Sequence, residues 1–177
     1  MLMQKGEHDY FKVGRAVQAK DPIFFRKLTD YIKECQDKSV KDTALINTYF
    51  HYFCLQQQIE AAHIRAVARR GGLELMNTRR LFIAVILKLY DQLYYEGVAG
   101  RMADNLRQRI ADCLNCHEVW VSTVAPSVIH ELRNLKGYQQ EVQYIIEAIE
   151  PFVAELKDPV PEYCQTRHSS NQLNMFM

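Results

Sequence analysis

Two thiols two residues apart, Cys113-Leu-Asn-Cys116, followed at once by His117, form the densest cluster of ligand-type side chains in the chain. Thiols at that spacing either capture haem vinyl groups, with the neighbouring imidazole on iron, or chelate a soft metal. Cys164 and His168 stand nearer the end. With Cys113 and Cys116 they would give tetrahedral zinc three thiolates and one imidazole. The long interval between the halves and the single Cys in the second favour unligated residues, and haem attachment requires an exported chain. Glu60 and His63 share one helix face, as in carboxylate-bridged di-iron bundles, but those bundles use two such pairs and only one occurs here. No cofactor is expected from these sets.

Five arginines, Arg65, Arg69, Arg70, Arg79 and Arg80, surround Gly71-Gly72 and are candidates for a basic patch on the phosphates of DNA. Arginine near a helix C-terminus also simply complements the macrodipole. Residues 1–110 hold 18 Lys and Arg against 12 Asp and Glu, a surplus of +6, while 111–177 carry −5. That asymmetry permits an anionic partner on the N-terminal side without requiring one. Residues 110–135 can be drawn as a helix-turn-helix, but His130, Arg133, Asn134 and Lys136 are few side chains for base reading. There is no Gly-rich phosphate loop, no nucleophile elbow and no nucleophile paired with a base, so the sequence does not indicate an enzyme.

The chain ends Gln172-Leu173-Asn174-Met175-Phe176-Met177, where apolar side chains return within a polar stretch that has no core to receive them. This segment resembles the short motif with which bacterial replication and repair proteins dock on the DNA polymerase sliding clamp: Gln, an aliphatic, a small polar residue, Leu or Met, then Phe. The resemblance covers five residues and leaves the body unassigned. It implies that Met175 and Phe176 fill a deep apolar subsite, Leu173 a shallower one, and that the Gln172 amide bonds at the rim. Met177 is an extra residue, placing a carboxylate close to the deep subsite. Two or three buried apolar side chains on a short peptide correspond to about micromolar affinity, which a multimeric clamp raises through avidity.

The elements that would position these residues are helices. The 177 residues suffice for one domain. With only 7 Gly and 5 Pro, and no alternating pattern with turn dipeptides, the punctuation of a β protein is missing. The expectation is an all-α bundle of six to seven helices over 1–157, followed by a flexible polar tail over 158–177. Periodicity predicts helices over 8–19 and 22–36, the latter capped by Asp21-Pro22, and one long helix over 40–70 ended by Gly71-Gly72. Ser39 and Asp42 resemble a capping box. Asn77-Thr78 would cap a helix over 79–96, another follows over 99–113, and the two are expected to be central. Residues 115–125 are open to loop or helix, Pro126 starts a helix ending at Gly137, and the last, over 138–156, meets a kink or restart at Pro151. The longest apolar run, residues 81–87, is closed by Lys88 and is far shorter than the roughly 20 residues of a membrane span. It reads as a buried helix centre. An odd number of cysteines, five, behind an N-terminus without an apolar leader predicts reduced thiols in the cytoplasm.

Overall fold

The computed structural model describes residues 4–66, 72–103 and 105–155, with side chains from residue 12 onward, and every regular element among them is helical. The fold is all-α, as composition and periodicity predict. No helix among the described residues is long and apolar enough to cross a membrane. The elements form two compact units, residues 1–39 and residues 40 onward.

The first unit holds α1 (Gln4–Lys20) and α2 (Pro22–Lys38), joined at Asp21. The Asp21 carboxylate accepts from the Phe24 backbone N–H at 2.9 Å, and Pro22 takes the first helical turn, where its missing N–H costs nothing. Cys35 is the one fully buried side chain described in this unit.

The second unit begins with a 3-10 turn, Thr43–Leu45, and continues through α3 (Ile46–Gln56), α4 (Ala61–Arg65), α5 (Gly72–Tyr90), α6 (Gln92–Tyr95), α7 (Leu106–Leu114), α8 (Glu118–Asn134) and α9 (Lys136–Glu155). Helix α5 is the axis, touching α3, α7, α8 and α9. All of residues 81–87 are buried, so this stretch has no solvent face. Phe82 is enclosed by the rings of Phe50 and Phe53, with centroids 5.1 and 5.3 Å away. Burying one such ring contributes about 2–3 kcal/mol. Helix α9 adds a regular stripe of Val142, Ile145, Ile146, Ile149 and Val153.

Several boundaries differ from the periodic reading. The expected helix over 40–70 is interrupted: α3 stops at Gln56, and Gln58 adopts a left-handed conformation with φ 55°. The Gln58 N–H donates to the Leu55 carbonyl at 3.1 Å and the Ile59 N–H to that of Cys54 at 3.0 Å, the bond pattern of a Schellman cap. Glycine usually signals this cap; here glutamine occupies it, so the sequence carries no stop sign. Ser39 and Asp42 do not form a capping box. The Ser39 hydroxyl donates to the Cys35 carbonyl, and Asp42 caps the 3-10 turn through the Ala44 N–H.

Helix α5 starts at Gly72 rather than after Thr78, whose hydroxyl bonds back to the Glu74 carbonyl. It ends at Tyr90 because Asp91 breaks it and caps α6 through the Tyr94 N–H. The other Asp91 oxygen accepts from the Ala103 N–H, anchoring the connection to α7. Burial raises the pKa of this carboxyl group, and the two backbone N–H bonds oppose the shift. Helix α7 accordingly begins at Leu106, later than the expected 99.

Helix α8 begins at Glu118 and runs through Pro126, which therefore does not open it. Proline inside a helix costs about 3 kcal/mol, a loss outweighed by the burial of Val121, Ala125, Val128, Ile129 and Leu132 on one face. Pro151 likewise lies within α9 without dividing it.

Candidate interaction sites

The arginines that flank Gly71-Gly72 in sequence have separate duties in the fold. Arg79, on α5, is 5% exposed. Its Nε donates to the Ile64 carbonyl and one Nη to that of Ala66, both at 2.7 Å, closing the C-terminal end of α4. Its guanidinium lies 5.8 Å from the centre of the Trp120 ring. Arg65 donates from Nε to the Cys113 carbonyl at 2.9 Å and lies 4.9 Å from the Phe50 ring centre, tying α4 to α7 and α3. Arg80 bonds the Ser127 hydroxyl at 3.1 Å and forms an ion pair with Glu131, both on α8.

Burial thus takes Arg79 out of the expected phosphate-facing patch, and Arg65 and Arg80 are engaged with backbone and carboxylate. Arg69 and Arg70 lie outside the described residues. The helix-turn-helix drawing also changes. With α8 beginning at Glu118, its first turn offers a carboxylate paired to Arg107 at 3.1 Å, the wrong sign for a DNA backbone. Of the side chains proposed to read bases, Arg133 bonds the Tyr95 carbonyl and Asn134 the His130 carbonyl.

Cys113 is buried, and its thiol donates to the Asn47 amide oxygen at 3.0 Å. Burial pushes its pKa up to about 12, and that of Cys54 to about 11. A sulfur so enclosed reaches a metal only if the core opens. Cys116 is half-buried with a raised pKa of the same cause, and the neighbouring His117 uses its ring nitrogen to cap α8 at the Val119 N–H. No group of three His, Cys, Asp or Glu side chains poised for a metal occurs among the described residues. Glu60 is the N-cap residue of α4, with His63 exposed one turn on. Cys164 and His168 lie outside the described residues. So do Gln172, Leu173, Met175 and Phe176.

Three further features come from the packing. Lys88, on α5, borders a cleft of about 570 Å³ with Tyr95, Arg133, Gln139, Gln143 and Tyr144. It donates to the Gln143 amide oxygen, and burial lowers its pKa. Tyr138 borders a second cleft, of about 730 Å³, beside Glu74, Arg80, Glu131 and Glu141. Its phenol oxygen is buried without a hydrogen-bond partner among the described residues, and burial raises its pKa. Last, α2 leaves Phe24 53% exposed and Leu28 and Tyr31 each 39% exposed. Comparison with family models, with characterised proteins and with solved structures returns no match.

Proposed function

We propose that this protein is a non-enzymatic adaptor or inhibitor that docks on the bacterial DNA polymerase sliding clamp through Gln172, Leu173, Met175 and Phe176, in DNA replication, repair or mobile-element biology. The observation that carries this reading is the Gln-Leu-Asn-Met-Phe segment itself. The body is consistent with a scaffold role: Arg65, Arg79, Arg80 and Cys113, all singled out by sequence, are engaged in holding helices together. Clamp affinity then resides in the tail, and any DNA contact is secondary to it. The test is a titration of the 170–177 peptide and of the full chain against purified bacterial sliding clamp. Binding near micromolar, abolished by Phe176→Ala with an unchanged melting temperature of the body, supports the proposal. No binding at millimolar peptide removes it.

A second reading has its own observation. The exposed apolar side chains of α2 suit a helical protein-interaction module with no clamp contact. A pull-down with the full chain and with a version lacking the last six residues separates the two, because clamp capture lost only on truncation belongs to the first.

A further inference from the structure

The cleft of about 570 Å³ beside Lys88 is of a size that holds small organic ligands. Lys88, Tyr95, Gln139 and Gln143 are partly buried along it, whereas Glu96, Arg133, Tyr144 and Glu147 stand exposed at its rim. The Lys88 ammonium donates to the Gln143 amide oxygen and lies 5.8 Å from the centre of the Tyr95 ring. No carboxylate among the described residues comes within ion-pair distance of it. An ammonium partly removed from water with only a neutral amide and a ring beside it is poorly compensated, and burial accordingly lowers its pKa. The rim carboxylates oppose that shift from a distance but are bonded elsewhere. Glu147 accepts from the Gln143 amide nitrogen and Glu96 from that of Gln92, both at 2.7 Å. Arg133 brings a second cation to the rim, likewise without a carboxylate partner among the described residues. Its Nη2 donates to the Tyr95 carbonyl at 3.1 Å and rests on Gly97, where a Cβ would collide with the guanidinium. The cation is therefore held in place before any ligand arrives.

We propose that this cleft binds a small organic anion, a carboxylate or phosphate head on a flat ring, with the head on Lys88 and Arg133 and the ring against Tyr144. The Lys88 ammonium keeps N–H donors beyond the one given to Gln143, and an anionic head supplies the counter-charge that the chain withholds from it. Glu96 and Glu147 balance the two cations in net charge, so binding rests on these direct bonds rather than on a long-range field. A bare ion would leave most of the cavity wet. Tyr144, 64% exposed, offers a ring face to an apolar body, and the Gln139 amide a polar contact at its edge.

The experiment titrates benzoate, phenyl phosphate, inorganic phosphate and benzyl alcohol into the full chain, followed through the side-chain amide NMR signals of Gln139 and Gln143. Benzoate or phenyl phosphate should saturate the shifts with a Kd of about 1 mM, roughly tenfold tighter than inorganic phosphate, while benzyl alcohol leaves them unmoved. The tighter of the two assigns the head group. Lys88→Met should weaken that probe at least about tenfold, and Lys88→Arg should retain it. Tyr144→Ala, at an exposed position that folding does not depend on, should weaken the ring-bearing probe about threefold and leave inorganic phosphate unchanged. No saturation by any probe at about 50 mM, or a Lys88→Met variant that folds and binds like the parent, overturns the proposal. Benzyl alcohol binding as tightly as benzoate overturns the anionic head, and a Tyr144→Ala variant that binds phenyl phosphate or benzoate unchanged overturns the placement of the ring.

Discussion

Helices α2 and α5 are nearly equal in length, 17 and 19 residues, and both set aromatic and aliphatic side chains at helical spacing. Their surroundings are opposite. Helix α5 is buried on every side over residues 81–87, while on α2 Phe24 is 53% exposed and Leu28 and Tyr31 are each 39% exposed. The difference lies in what flanks them. Helix α5 interleaves few charges and meets six other helices, whereas α2 carries Arg26, Lys27, Asp30, Lys33, Glu34, Asp37 and Lys38 around its stripe, which confines its apolar contact to one narrow face. A stripe of period 3.6 therefore establishes which face of a helix is coverable, and the width of the stripe sets how many neighbours can cover it.

The largest test of this contrast is a charge placed in each stripe. Val85→Asp buries an unpaired carboxylate at a fully enclosed position and should cost more than about 4 kcal/mol, enough to unfold the body. Leu28→Glu, on the exposed stripe of α2, should leave body melting within about 0.5 kcal/mol. Equal losses in thermal denaturation would erase the distinction between the two helices.

The next test asks whether the arginines are structural parts of the body. Arg79→Met leaves the Ile64 and Ala66 carbonyls without their donors and should lower stability by about 2–3 kcal/mol, with little recovery in Arg79→Lys, whose single ammonium cannot reproduce the fork. A melting temperature indifferent to Arg79→Met would return this residue to the surface patch.

Alkaline titration probes the same core through its thiols. The folded-state pKa of Cys113, about 12, lies above its ordinary value of 9.0. Its stabilising contribution is complete below pH 9 and is lost as pH rises toward 12, because the unfolded chain releases the proton first. The loss between pH 9 and pH 10 is roughly 1 kcal/mol. Cys113→Ser, which does not titrate in this range, should flatten that part of the stability curve. An identical slope in the variant would mean that Cys113 is exposed to solvent.

The smallest effect concerns a single backbone position. Gln58 sits at φ 55°, so Gln58→Gly should stabilise the second unit by up to about 1 kcal/mol. Destabilisation by glycine, read from chemical denaturation, would show that the glutamine side chain contributes more than its conformation costs.

Much of the body is legible in the sequence. The Asp21-Pro22 start, the enclosed centre at residues 81–87 and the all-helical class follow from capping chemistry, apolar run length and the scarcity of Gly and Pro, all of which act within a few residues of chain. What the local pattern does not show depends on partners distant in sequence. The α3 stop has no glycine to announce it. Pro126 is carried through α8 by packing on the far side of the helix. The arginines around Gly71-Gly72 suggested one patch because they are close along the chain, yet Arg65 bonds at Cys113 and Arg80 at Ser127 and Glu131, 47 to 51 residues away.

The sequence by itself determined the helical class, the cap at Asp21, and the Gln-Leu-Asn-Met-Phe segment at residues 172–176. Each is a matter of local propensity or a contiguous pattern. Only the tertiary structure decided that Arg79 is a buried cap for α4, that Cys113 is a core thiol bonded to Asn47, and that Phe24 on α2 is half exposed. The physical reason is the same in each case. Guanidinium, thiol and apolar groups take their roles from the acceptors, burial and neighbours that packing brings to them, and those come from residues far away along the chain.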